Sequence, residues 1–394
     1  MSNYIIYNPQ GGREGHSYQY TTNLCVGLLG IGKTVDLVTS PDFDSKCIED
    51  SGAGVTFTNT NNSKSKVSKH NNIISKIEYG IFIVSTNIRA FFTLNKVLRG
   101  KKNGVCLMTD GDTLTNIIYL LLSYWRSSFV FALTIHNADY ILHFYKNDRV
   151  KYIYKMICKI LLKILARTPV IIFVHGEAMR SALSNQLNIE EGRISIYKVP
   201  SDNFSEIPNK NKQKDSINLL FCGVMREDKG FDHLCEALSD CKPFSNWNLR
   251  VAGTTRQVGD EYVYDLTRKF DIEGQCTHNH KYMTTEEIDS EFSNADIVVL
   301  PYKKNFIAQS VVFVDSMRWG KPVVASKHSQ NGYDTTKYSV GWVFESENVN
   351  SLKKVLSEAI RSLKKNKIEF GFKGFMYDHS LESIAKSIVN ATEK

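Results

Sequence analysis

The sequence lacks several features, and each absence excludes a class of protein. No apolar run approaches the roughly 20 residues that a transmembrane helix needs. The eight cysteines contain no C-x-x-C pair, which argues against a zinc module and a disulfide framework. The first predicted strand begins almost at Met1, so we expect no secretory signal and a cytoplasmic protein.

What is present is an ordinary globular composition with a basic balance. The chain has 394 residues, 42% hydrophobic and 23% charged, which is enough for two domains with full cores. The formal net charge of +8 favours anionic partners such as nucleotide phosphates or acidic lipid. The cations are spread along the chain and no nucleic-acid-binding motif is present, so we expect no nucleic-acid partner.

The stretch GLLGIGKT, Gly27 to Thr34, matches the phosphate-loop pattern G-x-x-x-x-G-K-[ST]. A true phosphate loop leaves a strand and opens a helix, so that backbone N–H groups point at the phosphates. Here a helical pattern precedes the stretch and the alternating TVDLVTS follows it. The order is reversed, and we predict that Gly30 and Gly32 stop a helix and that Lys33 is a surface lysine.

The rest of the chain alternates strands with helices, which predicts parallel, doubly wound sheets. Predicted strands include NYIIYNP, GIFIVST, GVCLMTD, SSFVFALTIHN and PVIIFVHG, then, after a polar connection, INLLFCG, WNLRVAG, ADIVVLPY and KPVVASK. The predicted architecture is α/β, with two Rossmann-like domains facing a cleft. We place the first domain at 1–198, joined by a returning C-terminal helix at about 375–394, and the second at 199–374.

The segment LLFCGVMREDKGFDHLCEAL carries the strongest chemical signal. A predicted strand ends at Gly223, and Arg226 and Lys229 follow before a helix. A glycine at a strand end lets the backbone approach a ligand closely. Arginine offers forked hydrogen bonds and lysine a point charge, a pair that suits a diphosphate.

This pattern, G-x-x-R-x-x-K-G, resembles the donor-binding half of GT-B glycosyltransferases, in particular the large retaining family 4. ADIVVLPY, the acidic Asp315 and GKPVVAS are further matches in the same order. The resemblance implies that Arg226 and Lys229 hold the donor diphosphate and that Asp315 binds ribose hydroxyls. It also implies donor contacts at Ser310, at the N–H groups of Ser310 and Val311, and at Tyr282. No metal or other cofactor is then needed.

The N-terminal half agrees with this resemblance. GGREGH is similar to the family's G-G-x-x-x-H, which would bring Gly11 and Gly12 near the donor phosphate and put His16 at a helix start. TIHN ends a predicted strand at His136, which resembles the family histidine that reaches the transferred sugar. We therefore expect His136, Arg226 and Lys229 to be the catalytic residues.

Three positions depart from the family pattern. Ile307 stands where the first of two glutamates is usual, Asp315 is a methylene shorter than the second, and Val311 replaces a glycine. These departures favour an alternative in which the chain is a non-catalytic GT-B scaffold that binds a partner glycosyltransferase. The intact Arg226 and Lys229 favour the enzyme.

A second alternative is a GT-A type, metal-dependent glycosyltransferase. Asp110-Gly111-Asp112 follows the strand GVCLM, and carboxylates at this spacing can ligate a divalent cation. A single GT-A fold does not account for the second Rossmann-like half. His278 and His280 lack a third ligand, so we expect no metal there.

The segment RVKYIYKMICKILLKILART predicts a basic amphipathic helix. Its cations recur at every fourth residue, at Lys151, Lys155, Lys159, Lys163 and Arg167. One interpretation is a solvated face. The other is a helix that docks on anionic lipid through residues 151–167, at the inner face of the cell membrane.

The sequence as a whole predicts a nucleotide-sugar-dependent hexosyltransferase. Its donor would be a UDP- or GDP-sugar, and its acceptor a glycan or lipid-linked glycan in surface polysaccharide, capsule or O-antigen synthesis. The nucleotide, the sugar and the linkage stay open.

Overall fold

A computed structural model of the protein describes residues 3–9, 16–58, 73–110, 114–125, 128–136, 149–201, 204, 215–240, 246–255, 257–365 and 368–393. Two compact units divide the chain. Unit 1 holds 1–175, 180–200 and 379–394, and unit 2 holds 176–179 and 201–378.

Unit 1 is built on a seven-stranded parallel sheet in the order β3-β2-β1-β4-β5-β6-β7. Its strands are β1 Asn3–Asn8, β2 Thr34–Thr39, β3 Gly54–Phe57, β4 Gly104–Met108, β5 Phe129–Ile135, β6 Ile171–Val174 and β7 Ile194–Ile196. The strand order reverses between β1 and β4, which is where ligands bind in such sheets, beyond the carboxyl ends.

Unit 2 repeats the plan with six parallel strands in the order β10-β9-β8-β11-β12-β13. They are β8 Ile217–Cys222, β9 Trp247–Ala252, β10 Cys276–Asn279, β11 Ile297–Leu300, β12 Val323–Ser326 and β13 Gly341–Phe344. Alternate residues of β8 and β9, such as Phe221 and Trp247, enter a buried apolar core. The reversal point of this sheet lies between β8 and β11.

Helices connect the strands in both units. They are His16–Gly30, Lys46–Asp50, Ile73–Arg99, Leu114–Ser123, Arg149–Leu165, Glu177–Leu187, Phe231–Ser239, Asp260–Lys269, Thr285–Asn294, Val311–Arg318, Gln330–Tyr338, Val349–Lys364, Phe372–Asp378 and Leu381–Thr392. In the described part of the chain, none combines the length and hydropathy that crossing a bilayer requires.

Most predicted strands are confirmed, and one is wrong. GIFIVST, residues 80–86, lies inside the helix Ile73–Arg99. A short apolar run fits a buried strand and a buried helix equally well, and here a crossover helix is needed to connect β3 to β4. The last strand of unit 1 is also not PVIIFVHG, because β7 Ile194–Ile196 follows it. The connection around 202–214 lies almost wholly outside the described residues.

The phosphate-loop match lies where the sequence predicts. The helix His16–Gly30 ends before it and β2 begins at Thr34. Gly32 has a φ of +79°, and the N–H groups of Gly32 and Lys33 donate to the carbonyls of Leu29 and Leu28. This pair of bonds is a Schellman stop, so the glycine serves the helix end.

Candidate functional site

The reversal point of unit 2 brings together the loops that follow β8 and β11. Gly223 follows β8 directly and has a φ of +107°. A Cβ placed on it would lie 3.0 Å from Lys229 Nζ and 3.2 Å from Val312 Cγ2. Because a side chain would crowd both, glycine lets the backbone, the lysine ammonium and the start of the helix Val311–Arg318 meet at one place.

Lys229 is the cation at the centre of this place. Its residue is only 7% exposed, and Nζ donates to the hydroxyl of Tyr302 at 3.2 Å. Among the residues that the structure describes, no carboxylate lies within the 4.0 Å of Nζ that defines an ion pair. A buried charge without a counter-charge is costly, and a bound anion would remove that cost.

Tyr302 connects the ammonium to the neighbouring helix start. Its hydroxyl lies 3.1 Å from Ser310 Oγ as well as within hydrogen-bond distance of Lys229. The ring packs edge-on against Phe306, with the centroids 4.6 Å apart. The lysine, tyrosine and serine therefore form one hydrogen-bonded row at the carboxyl end of the sheet.

Arg226 lies beside this row, but its guanidinium already has a partner. Nε and Nη2 donate to the two carboxylate oxygens of Asp228 at 2.9 and 2.7 Å. Its remaining N–H groups are the donors that stay available to a diphosphate. The sequence did not single out Asp228, although an acid two residues after an arginine in a turn is a signal for such a pair.

The helix Val311–Arg318 differs from the prediction at its first N–H group. The Ser310 N–H donates to Asn331 Oδ1 at 2.8 Å, so this donor does not point at a ligand, which corrects the expectation for Ser310. Val311 opens the helix and is 37% exposed. The first N–H groups of a helix have no intrahelical acceptor, so the Val311 N–H is available to a ligand, and its contact with the donor diphosphate stays a prediction.

Asp315 lies one turn into the same helix and is partly buried. Burial raises the pKa of its carboxyl to about 6, with Asp289 adding to the rise and Arg318 opposing it. Arg318 itself forms an ion pair with Asp289. The carboxyl is thus mainly ionised at neutral pH, as the predicted binding of ribose hydroxyls requires, although its pKa lies only a little below neutral pH.

The loop before this helix is held by buried polar residues of the helix Gln330–Tyr338. The Gln330 N–H donates to the carbonyl of Ile307 at 2.8 Å, and Gln309 Nε2 donates to Asp334 at 2.7 Å. No sequence motif marks Gln330, Asn331 or Asp334. Ile307, in place of a glutamate, contributes its backbone carbonyl to this anchoring.

The structure describes the other candidate residues of unit 2 but does not show them in the row around Lys229. Tyr282 follows β10 and is 68% exposed. The ring of Tyr264 packs edge-on against His278 and tilted against His280, and the two histidine rings pack edge-on to each other. Within the described residues, no group of three His, Cys, Asp or Glu side chains could hold a metal ion.

The predicted residues of unit 1 are only partly described. Gly11, Gly12 and Asp112 lie outside the described residues, and of His16 only the backbone, at the helix start, is described. His136 follows β5, and both its ring nitrogens contact protein atoms: Nε2 the carbonyl of Thr109, and Nδ1 the Nε2 of His175 at 2.9 Å.

A cavity of about 370 Å³ lies elsewhere in unit 2. Its lining includes Asn218 and Asn248, near the amino ends of β8 and β9, and Arg250. Ligands of doubly wound sheets bind at the carboxyl ends, so geometry favours the row around Lys229 over this cavity.

Comparisons with known proteins agree with this geometry. A sucrose-phosphate synthase from Thermosynechococcus elongatus is similar over 99% of this chain and 98% of its own, with a TM-score of 0.70 and 14% identity. Anabaena Alr3699/HepE, solved in complex with UDP-glucose, is similar over 98% of each chain, with a TM-score of 0.61 and 12% identity.

One curated relative is an uncharacterized 41.2 kDa protein in the cps region of Klebsiella pneumoniae. It is 24% identical over 136 residues, which are 34% of this chain and 33% of the relative. The match thus spans about a third of that protein.

The two parallel sheets and these structural similarities show that the protein has the GT-B fold. Residues 202–369, most of unit 2, match the family Glycosyl transferases group 1. The predicted fold and the predicted resemblance are therefore confirmed.

Proposed function

We propose that the protein transfers a hexose-type sugar from a nucleotide-sugar donor to a glycan acceptor, with retention of configuration. The observation that carries the proposal is Lys229, a buried ammonium with no carboxylate partner in the described part of the chain. It lies against a strand-end glycine and a helix N-terminus, three features that together suit a diphosphate.

The chemistry follows from where charge develops. Negative charge grows on the leaving nucleoside diphosphate as the glycosidic bond breaks, and fixed cations stabilise that charge more than the ground state. Lys229, the free N–H groups of Arg226 and the N–H of Val311 would supply this stabilisation without a metal ion. The leaving phosphate itself would take the acceptor proton, as in the usual description of retaining family 4 enzymes.

We propose a UDP-sugar rather than a GDP-sugar as the donor, because a protein of similar structure was solved in complex with UDP-glucose. The test is a thermal-shift screen of UDP, GDP and their sugars, since a ligand specific for the folded state raises the melting temperature. Lys229→Ala should abolish the shift. Lys327→Ala is the matched control, because that lysine pairs with Glu345 on the surface.

Three outcomes are distinct. A shift with a UDP-sugar followed by turnover supports the enzyme. A shift without turnover on any glycan acceptor favours the non-catalytic scaffold. No shift with any nucleotide, or an unchanged shift in Lys229→Ala, contradicts the assignment of the donor site.

For the acceptor, we propose a lipid-linked glycan of surface polysaccharide, capsule or O-antigen synthesis. The relative from a cps region supports this setting. A lipid-linked acceptor requires the enzyme to reach a membrane, and unit 1 has a surface that suits this.

In the helix Arg149–Leu165, apolar side chains face outward where a docking face of cations would be expected. Lys155 is buried, and Lys159 donates to Gln186 Oε1 at 3.0 Å, so the described lysines do not form a free cationic stripe. The outward positions are instead apolar, at Ile153, Ile157, Ile160 and Ile164. This spacing is one continuous face of a helix.

Two neighbouring helices extend that apolar face. Leu114–Ser123 packs between the other two, through Leu114 N to Tyr154 Oη at 3.2 Å and through the stacked rings of Phe91 and Tyr119 at 4.3 Å. Exposed apolar residues of Leu114–Ser123 and the turn after it, and of residues 85–99, extend the face. The most exposed are Phe92 at 72%, Trp125 at 68% and Leu122 at 67%.

In the described parts of these three helices, the charged side chains are all of one sign. Residues 85–99, 114–125 and 152–167 contain no Asp or Glu, whereas Arg89, Lys96, Arg99 and Arg167 are exposed. Apolar side chains that enter the interface, with cations around them, suit an anionic bilayer surface. We therefore propose insertion of the isoleucine face and electrostatic support from these cations.

The experiment is co-sedimentation with vesicles containing anionic lipid. Phe92→Ser, Leu122→Ser and Ile160→Ser together should abolish binding, while Tyr333→Ser with Tyr377→Ser, exposed positions of unit 2, should not change it. Equal binding of both variants would contradict the surface. A wild type that does not sediment but dimerises would assign the face to a second copy of the chain.

A further inference from the structure

The hydroxyl of Tyr302 lies between the Lys229 ammonium and the Ser310 hydroxyl. Its oxygen is 3.2 Å from Lys229 Nζ and 3.1 Å from Ser310 Oγ. The tyrosine is only 1% exposed and the serine 6%, so both hydroxyls are largely withdrawn from water. All three residues belong to unit 2, and the structure describes each of them.

The direction of the two hydrogen bonds follows from the chemistry of the ammonium. A lysine ammonium only donates, so Tyr302 Oη must accept from Lys229 Nζ. Among the residues that the structure describes, the phenolic hydrogen then has Ser310 Oγ as its one acceptor. A buried O–H without an acceptor is costly, and the bond from the ammonium polarises the phenol into a better donor. Tyr302 therefore donates to Ser310.

This direction leaves the hydrogen of the Ser310 hydroxyl for another acceptor. The Ser310 N–H is already bound to Asn331 Oδ1 at 2.8 Å, so the hydroxyl is the donor that this residue can offer to a ligand. Two N–H groups of Lys229 likewise remain after its bond to Tyr302. The row therefore has an ammonium and a hydroxyl, both with hydrogens to donate, on either side of a buried tyrosine.

We infer that Tyr302 is a positioning residue of the proposed donor site, which keeps the Ser310 hydroxyl hydrogen and the Lys229 ammonium directed at the donor diphosphate. The inference rests on the proposed function for the identity of the anion. Tyr302 is itself too deeply buried to touch a ligand. It fixes the ammonium on one side of its hydroxyl and occupies a lone pair of the serine on the other, so that both groups keep hydrogens for an anion.

Further contacts fix the ring and the backbone of Tyr302. Ser326 Oγ donates to its backbone carbonyl, and the ring packs edge-on against Phe306. The Lys229 ammonium also lies 5.1 Å from the centroid of the tyrosine ring. Because the tyrosine is held before a ligand arrives, little ordering is needed when an anion binds, which is the advantage of a preorganised site.

The test is a double-mutant cycle at Tyr302 and Ser310, measured by calorimetric titration with pyrophosphate and with UDP. Tyr302→Phe removes one hydroxyl and keeps the ring, and Ser310→Ala removes the other hydroxyl. Each should weaken binding of both probes by about five- to tenfold, the scale of one hydrogen bond to a charged group. Because one hydroxyl acts through the other, the double variant should bind no more than about twofold more weakly than the weaker single variant.

Tyr333→Phe is the matched control, because that tyrosine of unit 2 is 42% exposed, and it should bind both probes like the wild type. Circular dichroism checks that every variant is folded. If the effects of Tyr302→Phe and Ser310→Ala multiply, the two side chains act independently, as a mere packing role of the tyrosine would give, and the inference is overturned. An unchanged affinity in Tyr302→Phe would overturn it as well.

The two probes separate the inference from the proposed function. Coupled effects on pyrophosphate binding, without binding of UDP, would support the positioning role and contradict the proposed UDP-sugar donor. UDP binding without coupling would support the donor site and contradict the positioning role. Pyrophosphate binding that survives Lys229→Ala lies elsewhere on this basic chain and contradicts the inference, and a wild type that binds neither probe contradicts both proposals.

Discussion

Arg226 and Lys229 differ in what surrounds their charges, although both belong to one sequence pattern. The guanidinium is bound by Asp228 from the same turn, while the ammonium donates to the neutral hydroxyl of Tyr302. A donor diphosphate must therefore compete with Asp228 for the arginine. At Lys229, the diphosphate would have no competitor among the described carboxylates.

We expect Arg226→Ala and Lys229→Ala each to lower turnover by a factor on the order of 10²–10³, or about 2.7–4 kcal/mol of transition-state stabilisation. Each variant should stay folded, because neither side chain belongs to the apolar core of unit 2. The measurement is the initial rate with a UDP-sugar, with circular dichroism as the folding control. Near-normal rates in both variants would contradict their assignment to the donor diphosphate.

Asp315 carries a cost in stability that pH can reveal. Burial raises the pKa of its carboxyl to about 6 in the folded protein, above the unfolded value near 4, so the folded state binds the proton more tightly. The penalty of the charged form is absent below about pH 4 and complete above about pH 6. Asp315→Asn should therefore unfold at higher urea at pH 8, by about 1–3 kcal/mol, and resemble the wild type at pH 4.

The same substitution should weaken donor binding at pH 8, because an amide is a poorer acceptor for ribose hydroxyls than a carboxylate. A variant that is more stable and binds the donor less well is the combined result to look for. Equal unfolding free energies of the variant and the wild type at pH 8 would mean that groups other than Arg318 also stabilise the buried carboxylate.

Individual residues of the candidate site can be predicted from the sequence when they belong to one short pattern. Arg226, Lys229 and Gly223 share eight consecutive positions, Gly223 to Gly230. Asn331 contacts Ser310 from 21 positions away, and His175 contacts His136 from 39. Such contacts depend on strand order, which no local pattern encodes.

At the scale of elements, the helix end at Gly32 shows why the phosphate-loop match is accidental. Lys33 follows the end of the helix His16–Gly30 and forms an ion pair with Glu393 at 2.8 Å. Lys33→Ala should leave donor affinity within about twofold, because a surface substitution changes free energies by roughly 0.5 kcal/mol or less. The measurement is UDP binding by calorimetry. ATP hydrolysis that disappears in Lys33→Ala would refute the prediction.

Periodicity predicted most elements and failed where two structures share a pattern. The run IFIV within GIFIVST is wholly apolar and shows no period that distinguishes a strand from a helix, so only the crossover from β3 to β4 decides. β7 has three residues and β13 four, too short to show alternation. The basic helix was predicted correctly as a helix, but amphipathicity does not say which face is buried, and Lys155 and Lys159 proved to lie on the packed side.

At the scale of the whole molecule, two ways of holding the donor diphosphate, by protein cations or by a bound metal ion, remain to be separated by experiment. The proposed donor site uses Lys229 and Arg226, and the alternative uses Asp110 with Asp112, the latter outside the described residues. We expect transfer to persist in excess chelator and in Asp110→Ala with Asp112→Ala. Loss of turnover with chelator, restored by manganese, would establish a metal-dependent enzyme and reopen the choice of catalytic residues.

Unit 1 also contains both the first strand and the last helix. The Tyr4 hydroxyl lies 2.8 Å from Thr392 Oγ1, and a Cβ on Gly27 would lie 2.7 Å from the carbonyl of Leu381, so the helices His16–Gly30 and Leu381–Thr392 pack with backbones close together. A ribosome makes residues 201–378 before it makes this last helix. Unit 2 can therefore fold during synthesis, while Tyr4 and the helix His16–Gly30 of unit 1 stay uncovered until residues 381–392 have been made.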